Sequence, residues 1–571
     1  MLNNKSTKNE LVRIYEWRFF NPLFILFFVF CLSSSEMYSQ YSKYWIQFTD
    51  KNNSPYTTTN PSAYLSARSL QRRLNQSIAI QQNDLPVNPA YANSVASVPN
   101  VTIINRSKWF NAVTIMTTDT NALNTIAAFS FVSNVKPVQR YHRKFGIEEQ
   151  KGPSLSTQRG ATPKTLSYSY GPSFTQINMI GGVCLHNQGF NGSGMQIAIL
   201  DAGFFNADTL PVFDSLRANN QILGTWNFVD NNSLVYTSHV HGTMVLSTMG
   251  GNMPDSIVGT APKAKFWLFV TEAGATEYVI EEDNWISGAE YADSVGADVL
   301  TTSLGYTEFD SVIIGGVTVV NPDNHTYADM DGNTCHISIG TDIAVSKGMF
   351  AVCSAGNSGG SSWNFIGAPA DADSVLAIGA VDSLGNYAWF SSNGPSFDGR
   401  VKPNVAAQGQ DCVIEDPATT GITRGSGTSF AGPITAELVA CLWQAHPGAT
   451  NMQLFNAIQQ TSSQYNNPDT LIGYGRSDFC AANLALGIEE NNSSEDLFSV
   501  YPNPFSDAFT VHNLSTTSCE LKMFDVLGRS VFEQAISKSN TVINTRSLAK
   551  GPYVLNLVSE QGTYSRKIVK Y

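Results

Sequence analysis

The stretch "MQIAILDAGF", residues 195–204, is apolar without interruption from Ile197 to Leu200 and then stops on Asp201, Ala202 and Gly203. A strand with one wet face alternates polar and apolar residues; a strand covered on both faces does not. The run therefore predicts a strand inside a parallel sheet. Four similar runs follow: "KFWLFV" (265–270), "ADVLTTSLG" (297–305), "MFAVCSAGN" (349–357) and "VLAIGAV" (375–381). Helical patterns are expected between and after them, at 284–294, 338–347, 429–445 and 452–461. Strands alternating with helices over residues 173–487 make this zone α/β, a parallel sheet flanked by helices.

The rest of the chain differs in texture. Residues 41–145 mix strand-like runs ("YWIQF", "VTIINR", "NAVTIMTT") with the helical stretch "PSAYLSARSLQRRL" at 61–74, a small α+β unit. Residues 146–172, rich in Gly, Pro, Ser and Thr, read as a linker. The polar spacer "EENNSSED" leads to residues 497–571, where short strands broken by turns suggest a β-sandwich; the linker is taken as 488–496.

Composition narrows the classes of function. The 571 residues are 42% hydrophobic and 14% charged, which is globular material. A net charge of −12 excludes a general nucleic-acid binder, which needs a basic face. Lys5, Lys8, Arg13 and Arg18 precede an apolar core at 23–32. That core is shorter than the roughly 20 residues that span a bilayer and fits a secretory signal over 1–40, cut near Ser39 and Gln40. Phe30 before Cys31 argues against a lipid anchor. Export permits disulfides, and Cys184, Cys335, Cys353, Cys412, Cys441 and Cys480 allow more than a dozen pairings among which sequence does not choose. No C-x-x-C pair is present to suggest zinc.

Four polar residues sit where the ends of strands and the starts of helices are expected. Asp201 closes a strand and could equally cap a turn. His241, in "HVHGTMVLSTMGG", opens a helix of small residues; with His239 it could form a metal pair, but no third ligand or H-E-x-x-H follows. Asn357 ends "VCSAGN" and could donate to a developing oxyanion or close a turn. Ser429, in "GSGTSFAGP" (425–433), could be an N-cap or a nucleophile whose own N–H is free at a helix start. A serine attacks only if a base takes its proton and a third group holds that base, and the order Asp201, His241, Ser429 supplies both.

"AILDAGF", "HGTMV", "SAGN" and "GTSFAGP" resemble the four signature segments of subtilisin-like serine proteases, and "FSSNGP" (390–395) and "VKPNVAAQG" (401–409) resemble that family's segments ahead of the serine. The resemblance implies that Asp201 orients, His241 is the base, Ser429 attacks and Asn357 helps hold the oxyanion. It implies that Ser303, Leu304, Gly305, Ser354, Ala355 and Gly356 line the groove for a protein or peptide substrate. It needs no cofactor for the chemistry; structural calcium is possible, with no segment assigned to it. Met244 stands where a second histidine is common, and Ala202 where Thr or Ser is common; neither belongs to the triad.

The flanks carry resemblances of their own. "KYWIQFTDKN" and "SKWFNAVTI" resemble pro-regions of secreted subtilisin-like enzymes, implying an intramolecular inhibitor removed by a cut in 146–172. "VYPNPF", "KMFDVLGR" and the last 21 residues resemble the sorting domain read by type IX secretion, implying passage through the periplasm and outer membrane to the surface or medium. Two other classes compete. An inactive protease fold serving as a surface binding module would lack reactivity at Ser429. A lipase or esterase would want Ser…Asp…His order and G-x-S-x-G, whereas Ala431 takes the last glycine's place.

Overall fold

The computed structural model describes residues 41–140, 168–314, 317–487, 498–513, 519–525, 529–536, 540–559 and 562–571. The expected signal (1–40), most of the 146–172 linker and the 488–496 spacer lie outside them.

The N-terminal unit consists of β1 (Tyr41–Phe48), α1 (Ala67–Asn75), α2 (Pro89–Ala96), β2 (Thr102–Ser107), β3 (Ala112–Met116), α3 (Thr120–Ala127) and β4 (Val132–Arg140), its antiparallel sheet ordered β2-β3-β1-β4. The helix expected over 61–74 is split. Residues 61–63 form a single tight turn, and α1 starts only after Ser66, whose side chain accepts a hydrogen bond from the Ser69 N–H. Strand β1 serves two cores. Tyr44, Ile46 and Phe48 pack with Val95, Ala122 and Ile126 beneath α2 and α3, while Trp45 on the opposite face meets Tyr278 and Ile280 of the central zone.

The central zone holds α4 (Gly182–Asn187), β5 (Gln196–Asp201), β6 (Ile222–Asn227), α5 (His241–Gly250), β7 (Lys265–Val270), α6 (Ile280–Val295), β8 (Val299–Thr302), α7 (His336–Ser346), β9 (Phe350–Ser354), β10 (Leu376–Val381), β11 (Val405–Gln408), α8 (Thr428–Ala445), α9 (Asn451–Gln460) and α10 (Phe479–Gly487). Seven parallel strands make one sheet, ordered β11-β10-β9-β8-β5-β7-β6. The five expected strands are all in it; β6 and β11 are additions. Both faces are dry, which explains the uninterrupted apolar runs. Ile197 and Ile199 of β5 join a core with α5, α8 and α9, while Ala198 and Leu200 join one with α6 and α7. From β5 the chain goes one way to β6 and β7, then returns past β5 to build β8 to β11. The sheet therefore changes direction between β5 and β8, and in such sheets ligands bind at the carboxyl ends of the strands beside that change.

A disulfide joins Cys184 of α4 to Cys480 of α10, with a Cα–Cα distance of 5.8 Å and a sequence separation of 296. Cys335, Cys353, Cys412 and Cys441 are buried free thiols. The C-terminal strands form antiparallel sheets of three and four strands that enclose one apolar cluster, including Phe505, Phe509, Leu521, Leu555 and Ile568. Among the described residues no helix is long and apolar enough to cross a membrane.

The N-terminal unit rests on α6 and α7. At its centre lies Asp293 of α6, 0% exposed, with Arg72 at 2.6 Å, Arg73 at 2.9 Å and Lys108 at 2.9 Å. Arg73 also reaches Asp84 at 2.8 Å, and Lys347 of the central zone approaches Asp84 at 3.3 Å. One helical turn away, Glu290 accepts from the Ser107 hydroxyl at 2.6 Å, the Lys108 N–H at 2.7 Å and the Trp109 N–H at 3.0 Å.

Candidate active site

Strand β5 delivers Asp201 to the carboxyl edge of the sheet, fully buried. The loop bearing His241 must then pass directly over the turn that follows. Glycines permit this: a Cβ on Gly203 would lie 2.3 Å from the Ser238 hydroxyl, and one on Gly242 would lie 2.4 Å from the Gly203 carbonyl. The Phe204 and Phe205 N–H groups donate to the carbonyls of Val235 and His239, fastening the two segments together. His241, the first residue of α5, thereby places Nδ1 2.8 Å from Asp201 Oδ1, and that same oxygen accepts the Ala202 N–H at 2.8 Å.

This arrangement sets the electrostatics of the ring. Burial alone would lower the His241 pKa. The Asp201 carboxylate, its hydrogen bond and the more distant Glu272 outweigh burial and hold the pKa above the ordinary value. The other histidine of the pair, His239, accepts the His241 N–H at 3.2 Å through Nδ1.

Helix α8 brings Ser429. The N-cap is Gly427, not Ser429, which is instead the second helical residue and 7% exposed. In the first turn its N–H has no acceptor within the helix. Pro433 lacks the N–H that would normally bond the Ser429 carbonyl; the Ser303 hydroxyl donates to that carbonyl instead, at 3.0 Å. The Ser354 hydroxyl does the same for the Thr428 carbonyl at 2.8 Å. The Ser429 hydroxyl donates to the Ser303 carbonyl over 3.3 Å, a long contact, and among the described residues no hydrogen bond joins it to His241.

Asn357 lies beyond the end of β9, and its amide orientation is determined. The Thr428 N–H donates at 2.8 Å, and a backbone N–H cannot accept, so the atom facing it is Oδ1. The Thr428 hydroxyl donates to the same Oδ1 at 3.0 Å. The NH2 group is left facing the cleft beside Gly427 and Ser429. That cleft, about 150 Å³, is lined by Ser303, Leu304 and Gly305 on one side and Ser354, Ala355, Gly356 and Asn357 on the other. All ten residues expected at the site thus lie at the carboxyl edge of the sheet. Ser303 and Ser354, expected only as groove residues, also hold the start of α8.

The central zone matches the profile described as "Subtilase family" over residues 192–475. The chain is 30% identical over 295 residues to "Subtilisin" of Bacillus pumilus, covering 50% of this chain and 90% of that protein. The chain belongs to the subtilase family. Subtilisin E of Bacillus subtilis (strain 168) is 30% identical over 299 residues, 51% of this chain; the match takes in 66% of that protein, just under two thirds. M-protease of Shouchella clausii (strain KSM-K16) is 27% identical over 304 residues, 52% of this chain and 67% of that protein. The flanks of this subtilase match other profiles. Residues 43–152 match "Peptidase S8 propeptide domain, Bacteroidota", and residues 499–571 match "Secretion system C-terminal sorting domain".

One group of polar residues has no counterpart in the sequence-based expectations. Glu272, Glu277 and Glu281 converge after β7. The signal was present as an unusual density of acids in "TEAGATEYVIEEDN" (271–284) directly after a buried strand.

Proposed function

We propose that this subtilase is a secreted serine endopeptidase made as a self-processed precursor. Ser429 attacks the substrate carbonyl while His241 takes its proton through Nε2, the nitrogen not engaged by Asp201. Asp201 fixes the tautomer and stabilises the imidazolium. The Asn357 NH2 and the Ser429 N–H hold the tetrahedral oxyanion. His241 then protonates the leaving amine, and water repeats the sequence on the acyl-enzyme. The observation that carries this reading is the 2.8 Å bond from His241 to a fully buried Asp201, with α5 packed against the helix that presents Ser429.

The 41–145 unit acts as the intramolecular inhibitor, with the maturation cut in 146–172. The peptidase body spans 173–487 and the sorting domain 497–571, which hands the chain to type IX secretion machinery for release or surface display. Ser303, Leu304, Gly305, Ser354, Ala355 and Gly356 line the groove for an extended peptide. No cofactor enters the chemistry, and calcium is proposed only as a structural ion. The direct test is a fluorophosphonate probe on processed wild-type protein, with mass spectrometry of the adduct. Labelling at Ser429 together with cleavage of an unfolded protein supports the reading; an unreactive Ser429 and uncut substrate leave a binding module.

Two further results are expected. Asn357→Asp keeps an acceptor for Thr428 but removes the amide donor and sets a carboxylate beside the oxyanion. The loss in kcat should reach at least about 10²–10³-fold, the scale of one oxyanion donor, with KM little changed. The pH profile should fall on its acid side as His241 gains a proton. The sequence alone suggests a fall below roughly pH 6. With His241 held above its ordinary value of about 6.5, half of kcat/KM should already be lost at or above about pH 6.5. A profile flat from pH 7.5 down to 5.5 would contradict this.

A further inference from the structure

Strand β7 ends beside β5 at the edge of the sheet that carries the triad. Asp201 and Val270 are the last register pair, and just past them the Thr271 N–H donates to the Asp201 carbonyl at 3.0 Å. Alternation along the strand then fixes which way each side chain faces. Leu268 and Val270 pack with Ile197 and Ile199 in the core under α5. Thr271 faces the other way, where a Cβ on Gly288 of α6 would lie 3.0 Å from its methyl. Glu272, two residues after Val270, returns to the side of the sheet where Asp201 and His241 stand. The loop then stays against the histidine segment: a Cβ on Gly274 would lie 2.8 Å from the His239 ring.

Asp201 engages His241 through Oδ1, and its buried Oδ2 has no partner. Glu272 is half-buried, and the acyl-transfer steps make no use of it. Charge ties it to the ring. Asp201 favours the His241 imidazolium most and Glu272 favours it too, while His241 in turn favours the Glu272 carboxylate. Burial and the Asp201 charge still push Glu272 up to about 7, so it ionises in the range where His241 loses its proton. The other groups around it are accounted for. Burial and neighbouring carboxylates push Glu277 up to about 9 and Glu281 up to about 10, so both stay neutral through that range. Burial holds the Tyr306 hydroxyl, beyond β8, neutral as well. Asp310 Oδ2 accepts the Glu277 N–H at 3.2 Å, Glu282 pairs with His325 at 2.6 Å, and His239 accepts the His241 N–H. Ionisation of Glu272 therefore sets a second negative charge near the ring, beside that of Asp201.

We propose that Glu272 is a positioning residue for the triad, a second carboxylate that stabilises the imidazolium of His241 from the β7 side. This role rests on the serine-peptidase reading, and the test separates the two.

The test follows Ser429 in processed protein, through the second-order rate of labelling by a small fluorophosphonate from pH 5 to 9, and through kcat and KM on a peptide substrate. In wild type the acid limb should be spread over two coupled ionisations. In Glu272→Gln it should become a single-proton limb with its midpoint at least about half a pH unit lower, about threefold in the ionisation equilibrium. At pH 8.5 kcat should fall about three- to tenfold with KM little changed. Glu272→Asp, which keeps a carboxylate, should restore part of the shift. If Glu272→Gln does not fold, Glu272→Leu, uncharged and similar in size, decides by the same readouts. An acid limb that coincides in wild type and Glu272→Gln overturns the role. So does a change confined to KM, which would put Glu272 on the substrate instead. Wild type that goes unlabelled at every pH overturns the peptidase reading and this role with it, whereas a labelled wild type with an unmoved limb sinks the role alone.

Discussion

Ser429→Ala is expected to reduce kcat on the order of 10⁶-fold, the scale known for losing the serine of a subtilisin triad, while leaving KM nearly unchanged. The substitution removes one oxygen that makes a single long contact, to Ser303 at 3.3 Å, so the fold should not notice. The Asn357 amide and the helix N–H remain, and residual catalysis should therefore be that of the oxyanion donors and binding alone. The same variant tests self-processing. N-terminal sequencing of the secreted protein should find the precursor uncut between 146 and 172 in Ser429→Ala and cut in wild type. A cut that persists in the variant would assign maturation to another protease.

Asp293→Ala should undock the N-terminal unit. Arg72, Arg73 and Lys108 all come from that unit, and Asp293 of α6 is the carboxylate they share. Arg72 and Arg73 are 5% and 1% exposed, so their charges would be left buried, with Asp84 the one carboxylate still paired with Arg73. Breaking a buried ion pair from one side costs about 3–5 kcal/mol, or on the order of 10²–10⁴ in a docking equilibrium. In a Ser429→Ala background, trypsin should digest the N-terminal unit of Asp293→Ala under conditions that spare the parent, with the peptidase body intact. Equal protection would show that the apolar contacts around Trp45 suffice.

The same carboxylate predicts a pH range. Burial would raise the Asp293 pKa, but Lys108, Arg73 and Arg72 outweigh it and hold it well below the usual carboxylate range. A lowered pKa contributes to docking above the free value of about 3.9 and is lost only as pH falls through the lowered one. Mild acid at pH 4–5 should therefore not release the unit through Asp293.

How much of this was legible in the sequence follows from what each residue packs against. Strands buried on both faces announced themselves, and the apolar runs ended where the polar site residues lie. Strand β6, "ILGTWN", escaped notice because it is an edge strand, largely half-buried, with no clear period. Ser429 was expected as the first helical residue, but the helix begins at Thr428 after a glycine cap. Arg72 and Arg73 sit in a sequence, "ARSLQRRLN", that looks like a solvated helix face; only docking buries them. Glu281 sits in the acid-rich first turn of α6, where carboxylates commonly favour the helix dipole; the density of acids is visible in the sequence, but not which of them is buried. Tertiary contacts made these residues unusual, and a linear pattern carries no trace of such contacts.

The Cys184–Cys480 bridge has a consequence for durability. It joins a helix near the front of the peptidase body to the helix at its rear, closing nearly the whole body into a covalent ring. Trimming upstream of Cys184 or downstream of Cys480 falls outside the ring. Chain ends are where unravelling and nicking usually begin. Here neither end of the ring can peel away alone, and a single internal nick would still leave both pieces tethered.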